Sequence, residues 1–197
     1  MKDTSVIRTC VNQTLGISLA QASAVIDGAL AHARATGLAP MTVTVLDCAG
    51  RPVAMKREDG SSLLRPEIAH AKAFGALGMG MGSRALGERA ATHPAFVASI
   101  TALAQGNLVP VAGGVLIRDA GGALLGAVGI SGALPDQDEA CAVEALSKCG
   151  LQAQVEGPHC AMDRPTIQLN IDGSCFRRHF GSESPRMATI LFKGRDI

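Results

Sequence analysis

Tryptophan and tyrosine are absent from the 197 residues, and phenylalanine occurs only five times. A core without large aromatics is assembled from Ala, Val, Leu, Ile and Met, which lets its elements approach closely. No stretch of about 20 uninterrupted apolar residues occurs, which excludes a helix that spans a bilayer. No Lys/Arg run disturbs the balance of 18 basic and 17 acidic residues, net +1. Such a chain is not built for nucleic acid or an anionic membrane surface. The six cysteines, at 10, 48, 141, 149, 160 and 175, never form C-x-x-C. Their scatter fits free thiols in a reducing compartment, not a disulfide framework or a zinc site. The opening MKDTSVIRTCVNQTLG holds no apolar block of signal-peptide length, so a cytoplasmic location is expected. H-E-x-x-H, a Walker loop, a triad motif and a helical His pair at ligand spacing are all missing. Metal-assisted hydrolysis is therefore not expected.

What is present centres on Asn107–Glu139. Val111–Arg118 is apolar and β-branched, Asp119-Ala-Gly-Gly122 is a turn, and Ala123–Ile130 is a second apolar strand. A glycine-rich corner then leads into a helix over Asp136–Lys148, acidic at its start, basic at its end and closed by Gly150. An earlier hairpin, Met41–Leu46 and Arg51–Glu58 around Asp47-x-x-Gly50, echoes the later one. The echo suggests two antiparallel hairpins sharing one sheet.

Ser18 and Gln21 have capping-box spacing, and apolar residues then recur at three and four until Thr36-Gly37. Arg65-Pro66-Glu67 opens an Ala-rich helix carrying His70 and Lys72. Gly80-x-Gly82-x-x-Ala85 matches a dinucleotide fingerprint only formally, because it follows a helix and not a strand; it predicts an interhelical turn over 78–83. Two short helices, Arg84–Ala91 and Pro94–Leu103, complete this stretch. The apolar fraction of 47% suffices for one core. The expected domain is 1–155, with a Pro- and Gly-punctuated extension over 156–197 that carries short strands at Thr166–Ile171 and Met187–Phe192.

Lys72 is the side chain with most chemical scope. Semi-buried, its pKa falls and it serves as a base, a Schiff-base amine or an anion clamp; alternatively it snorkels, or pairs with Glu67 or Asp138. Gly113, Gly114, Gly129, Ser131 and Gly132, with the helix start at Asp138 and Glu139, offer an anion pocket, or simply relieve a sheet packed against Ala-rich helices. Arg57 and Asp59 close the pocket rim, or form a surface pair. His32 and His70 lie on the two core helices.

The motifs Asp47-x-x-Gly50, Arg57-x-Asp59-Gly60, Glu67-Ile-Ala-x-x-Lys72-Ala, Val109-Pro-Val-x-Gly-Gly-Val115, Gly126-Ala-x-Gly-x-Ser-Gly132 and Gln137-Asp-Glu139 together resemble the GlcG/HbpS family of haem-degrading-domain proteins. That family includes the C-terminal domain of PduO-type corrinoid adenosyltransferases. The resemblance covers Leu15–Leu151 and leaves the tail outside. It implies an α/β domain of α+β type, with a central antiparallel sheet of four to five strands between helices, in three layers and in dimers or larger homo-oligomers. It also implies a small-molecule ligand, haem or a related tetrapyrrole for some members; His32 and His70 are the iron-ligand candidates only through their place on the two core helices. Members share no single activity. The second reading is therefore an isomerase- or tautomerase-like enzyme on an unsaturated or hydroxylated carboxylate. In it Lys72 or Glu67 moves the proton, while Arg57 and the Gly-Ser-Gly corner hold the carboxylate.

Overall fold

The first helix forms where the capping box places it. The computed structural model describes residues 16–157 and, beyond them, the backbone of two two-residue strands, Gln168–Leu169 and Cys175–Phe176. Helix α1, Leu19–Ala35, begins at Ser18, whose hydroxyl accepts from the Gln21 amide while the Gln21 side chain accepts from the Ser18 amide. Thr36 caps its end and Gly37 turns out of it at φ +68°.

Strands β1 (Thr42–Asp47), β2 (Pro52–Arg57), β3 (Gly114–Arg118), β4 (Leu124–Ser131) and β5 (Gln152–Gln154) form one antiparallel sheet. Their order is β2-β1-β4-β3-β5. The two expected hairpins thus lie side by side, with β1 against β4. Between the hairpins run α2 (Arg65–Met79), α3 (Ser83–Thr92) and α4 (Pro94–Leu103); α5 (Pro135–Lys148) follows β4. The expected α+β fold, an antiparallel sheet flanked by helices, is the one found.

Alternation along the strands separates the two faces. Val43, Val45, Val115, Ile117, Val128 and Ile130 join the buried faces of α1 and α5 in one core. Leu46, Leu116 and Ala127 face the other way, onto Ala73 and Ala76 of α2. The layers are therefore α1/α5, sheet, α2. Register explains how α2 lies so close. Gly114 and Gly129 are paired across β3 and β4, and a Cβ on either would run into the Lys72 or Ala69 carbonyl of α2.

Two boundaries and one strand stand out from expectation. Strand β3 starts at Gly114, not Val111, because the Val111 amide bonds back to the Val109 carbonyl at 2.9 Å in a three-residue turn. Helix α2 runs through Gly78 to Met79, so the glycine turn shrinks to Gly80–Gly82, with Gly80 at φ +65°. Strand β5 was not foreseen: Leu151, Ala153 and Val155 alternate with Gln152 and Gln154 and pack on the core, but the run is too short to stand out before its pairing with β3 is seen.

The chain divides into two units, Met1–His159 and Cys160–Ile197. In the second, Gln168–Leu169 pairs antiparallel with Cys175–Phe176, inside the expected strand at Thr166–Ile171. The strand expected at Met187–Phe192 lies outside the described residues. No helix among the described residues is long and apolar enough to cross a membrane.

Cys141 is fully buried in the α5 core, and desolvation pushes its thiol up to about 11. Cys48 is exposed on the β1–β2 turn. Brief iodoacetamide treatment at pH 8, read by peptide mapping, is expected to label Cys48 and leave Cys141 untouched until the protein unfolds.

Candidate functional site

Helix α2 carries two different flanks. Arg65 and Lys72 stand seven residues apart, two turns along one flank, while Glu67, His70 and Phe74 occupy the opposite flank. Lys72 and Glu67, the two proton-moving candidates, are therefore not brought together.

On the first flank, the Lys72 side chain crosses the end of the sheet beneath α5. Its ammonium, 4% exposed, donates to Asp138 Oδ2 at 2.8 Å and to the Ile130 carbonyl at 2.9 Å. Asp138, 1% exposed, accepts from the Ala133 amide through its other oxygen at 2.9 Å. The pair ties the α2 layer to the α5 layer past Gly113. That glycine sits at φ +117°, and a Cβ there would stand 2.8 Å from the ammonium. Burial pushes the Lys72 amine below its ordinary value; Asp138 pulls it back through charge and hydrogen bond. The Arg65 guanidinium adds a smaller push down and the Glu139 carboxylate a smaller pull up.

Around this pair stand Arg65, Ser83 and Arg84, which sequence reasoning did not assign, beside Ser131 and Glu139, which it did. Arg84, on the first turn of α3, donates from Nε to Glu139 at 2.8 Å and from Nη2 to Asp136 at 2.6 Å. Both bonds push its pKa up. Glu139 is 10% exposed and its second oxygen, Oε2, has no hydrogen-bond partner among the described residues. Arg65 donates from Nη1 to the buried Ser131 hydroxyl at 3.1 Å. Ser83 accepts from the Gly114 amide at 2.7 Å. Arg65 and Lys72 share a helix flank at a seven-residue spacing, and that spacing was the available signal.

The glycines of the candidate pocket meet protein. Where side chains would stand on Gly114 and Gly129 lies α2 backbone, and on Gly132 lies Met41. Arg57 is exposed and turned to the Ser61 carbonyl, 2.5 Å from Nη2 and 3.2 Å from Nε, so Arg65 and not Arg57 reaches Ser131. Asp59 is exposed on the following loop.

On the second flank Glu67 is exposed, and His70 is half-buried with its ring stacked on Phe74 at 5.8 Å and 16°. Strand register sets Met55, 52% exposed, beside Thr44 on the sheet face that α2 covers. The Thr44 hydroxyl is buried without a partner among the described residues. His32 lies in the last turn of α1, across the sheet from His70. Among the described residues no group of three or more His, Cys, Asp or Glu side chains is disposed to hold a metal ion.

An antiparallel sheet of this order between helix layers, with a buried Lys–Asp tie at its end, defines an α+β domain of one recognisable class. The chain belongs to the HbpS-like family of haem-degrading proteins, whose model matches residues 17–147. Solved structures share the fold. The crystal structure of a PduOC–haem complex matches with TM-score 0.64 and 24% identity, over 71% of this chain and 99% of that one. A double mutant of HbpS from Streptomyces reticuli matches with TM-score 0.59 and 26% identity, over 70% and 89%. Protein ORFY of Klebsiella pneumoniae matches with TM-score 0.62 and 23% identity, over 76% and 96%. No curated protein matches the chain.

Proposed function

We propose that this protein is a cytoplasmic, self-associating small-molecule-binding protein whose ligand is haem or a related tetrapyrrole, held on the His70 flank of α2. The observation that carries the reading is the His70–Phe74 stack. It presents a half-buried imidazole beside an aromatic ring, and that ring stands over Gly50 at the β1–β2 turn. A flat apolar ring system needs such a lining, and a neutral imidazole is a suitable iron ligand. Bound haem supplies an iron centre; the chain supplies the ligating imidazole and the apolar faces that exclude water. Family membership and the haem complex of PduOC support the same ligand class.

Binding ranks above proton-transfer catalysis because two of the three Lys72 N–H donors are already engaged in a buried site, and Glu67 stands on the other flank. Haemin titration is expected to give a saturable Soret shift. His70→Ala weakens it by about tenfold or more, while His32→Ala titrates as wild type. Loss in His32→Ala with retention in His70→Ala overturns the assignment; no saturable shift at all overturns the ligand class.

A further inference from the structure

The turn that leads into α2 has two leucines where turns favour polar residues, proline or glycine. The Arg65 amide donates to the Ser62 carbonyl at 3.1 Å, which makes Leu63 and Leu64 the central residues of a β-turn, with Leu64 at φ −86° and ψ 0°. Their side chains are 79% and 62% exposed. The backbone beneath them is fixed. The Ser61 hydroxyl meets the Thr42 hydroxyl at 3.1 Å in a buried contact, and the Ser61 carbonyl accepts from Arg57. Beyond the turn, Arg65 donates to the buried Ser131 hydroxyl.

Strand register puts Arg57, Thr42 and Ser131 in one row at the end of the sheet. The leucine turn follows β2 and the Gly132–Leu134 corner follows β4, so Leu134, 67% exposed, leaves the same end. Large apolar side chains held outward by a fixed backbone add nothing to this chain's own core, and they mark an interaction surface. Charges of both signs stand beside them. Asp59 and Glu67 are exposed, Arg65 is half-buried, and none of the three makes an ion pair among the described residues. An anionic membrane would be repelled by the two acids. A second copy of the same surface answers both signs at once.

We propose that this end of the sheet is a two-fold contact between two copies of the chain. Leu63 and Leu64 pack across the axis on their counterparts, and Leu134 widens the apolar centre. A two-fold reversal about the leucines sets residues after the turn against residues before it, so Arg65 pairs with the partner subunit's Asp59 on the rim. Glu67 follows Arg65 on the same helix and lies on its other flank. A four-residue turn alone falls short of the about 800 Å² per partner that a stable contact buries; the Leu134 corner is the extension that the fold provides.

The surface rests on the self-association proposed above, and sedimentation equilibrium of the full chain separates the two. Leu63→Ser/Leu64→Ser leaves the core untouched and is expected to raise the dissociation constant at least about a hundredfold, since both copies lose two buried leucines. Asp59→Arg, which sets like charges against each other, raises it at least about fivefold. Asp59→Arg/Arg65→Asp exchanges the signs and recovers most of that loss; should it not fold by circular dichroism, the other two variants decide. A wild-type chain that stays monomeric overturns the self-association reading and this surface with it. Association unchanged in the leucine variant or in Asp59→Arg overturns the surface alone. Flotation with phosphatidylcholine vesicles tests a lipid occupant, and vesicle binding that the leucine variant loses overturns the contact between copies.

Discussion

Lys72→Met is expected to destabilise the first unit by about 3–5 kcal/mol, because removing one member of a buried ion pair leaves the other charge uncompensated. The stranded group is the Asp138 carboxylate, 1% exposed and held by one remaining amide. For a unit of this size the loss corresponds to a fall in Tm of about 6–20 °C. Lys72→Met/Asp138→Leu is expected to recover at least about 2 kcal/mol relative to the single variant, since the uncompensated charge is gone and the Ala133 amide alone loses an acceptor. Urea denaturation of the three proteins measures both effects. The pH dependence has a definite sign. Burial holds the folded-state pKa of Lys72 below the ordinary 10.5. Between that lowered value and 10.5 the unfolded chain binds more protons, so stability rises with pH across this alkaline window. Below the window the amine is charged in both states and contributes no slope. Lys72→Met lacks the rise. A cost under about 1 kcal/mol would remove the pair from any account of how the layers are joined.

The elements most readable from sequence were those specified by neighbouring residues. Ser18 and Gln21 are three apart, and the turns at Asp47–Gly50 and Asp119–Gly122 are local, so α1 and both hairpins follow from short-range chemistry. The echo between the hairpins even anticipated that they share a sheet. Strand β5 went unread although Leu151, Ala153 and Val155 alternate with two glutamines, because so short a run becomes distinctive only through its ladder with Leu116–Arg118. The end of the sheet shows the same divide. Pairing of Lys72 with Asp138 was one of two alternatives the sequence offered, but nothing local chose it over Glu67, because the pair spans 66 positions, as does that of Arg65 with Ser131. Arg84 reaches Glu139 across 55 positions. Arg65 passed as a helix-start residue because its partner is a serine on another layer. Arg57 attracted the carboxylate role through its place beside Asp59-Gly60, yet its guanidinium closes the local loop on Ser61. Helical geometry alone could have separated Lys72 from Glu67 and grouped it with Arg65.

Gly129→Ala tests the layer contact from the other side, and is expected to cost at least about 3 kcal/mol, at the upper end of overpacking penalties. No positive φ is involved; the space is taken. The new Cβ would overlap the Ala69 carbonyl oxygen and lie 3.0 Å from the Ala73 amide nitrogen, and both atoms belong to the α2 backbone. Backbone cannot rotate away as a side chain can. Relief requires the whole helix to lift from β4, which would also pull Lys72 from Asp138 and Arg65 from Ser131. Truncating Ala69 to glycine is therefore expected not to rescue Gly129→Ala, because the obstructing oxygen remains. Gly75→Ala is expected to cost less, since its Cβ meets the Leu108 and Leu86 side chains, which have room to adjust. Gly78→Ala, in the same helix with nothing within 4 Å, is expected to stabilise by about 0.5–1 kcal/mol through helix propensity. Urea midpoints ordered Gly78→Ala, wild type, Gly75→Ala, Gly129→Ala from most to least stable would show the glycine pair of β3 and β4 to be a docking track for α2. A Gly129→Ala protein as stable as wild type would mean that α2 does not lie on the sheet at this distance, and the ionic cluster at its end would lose its geometric basis with it.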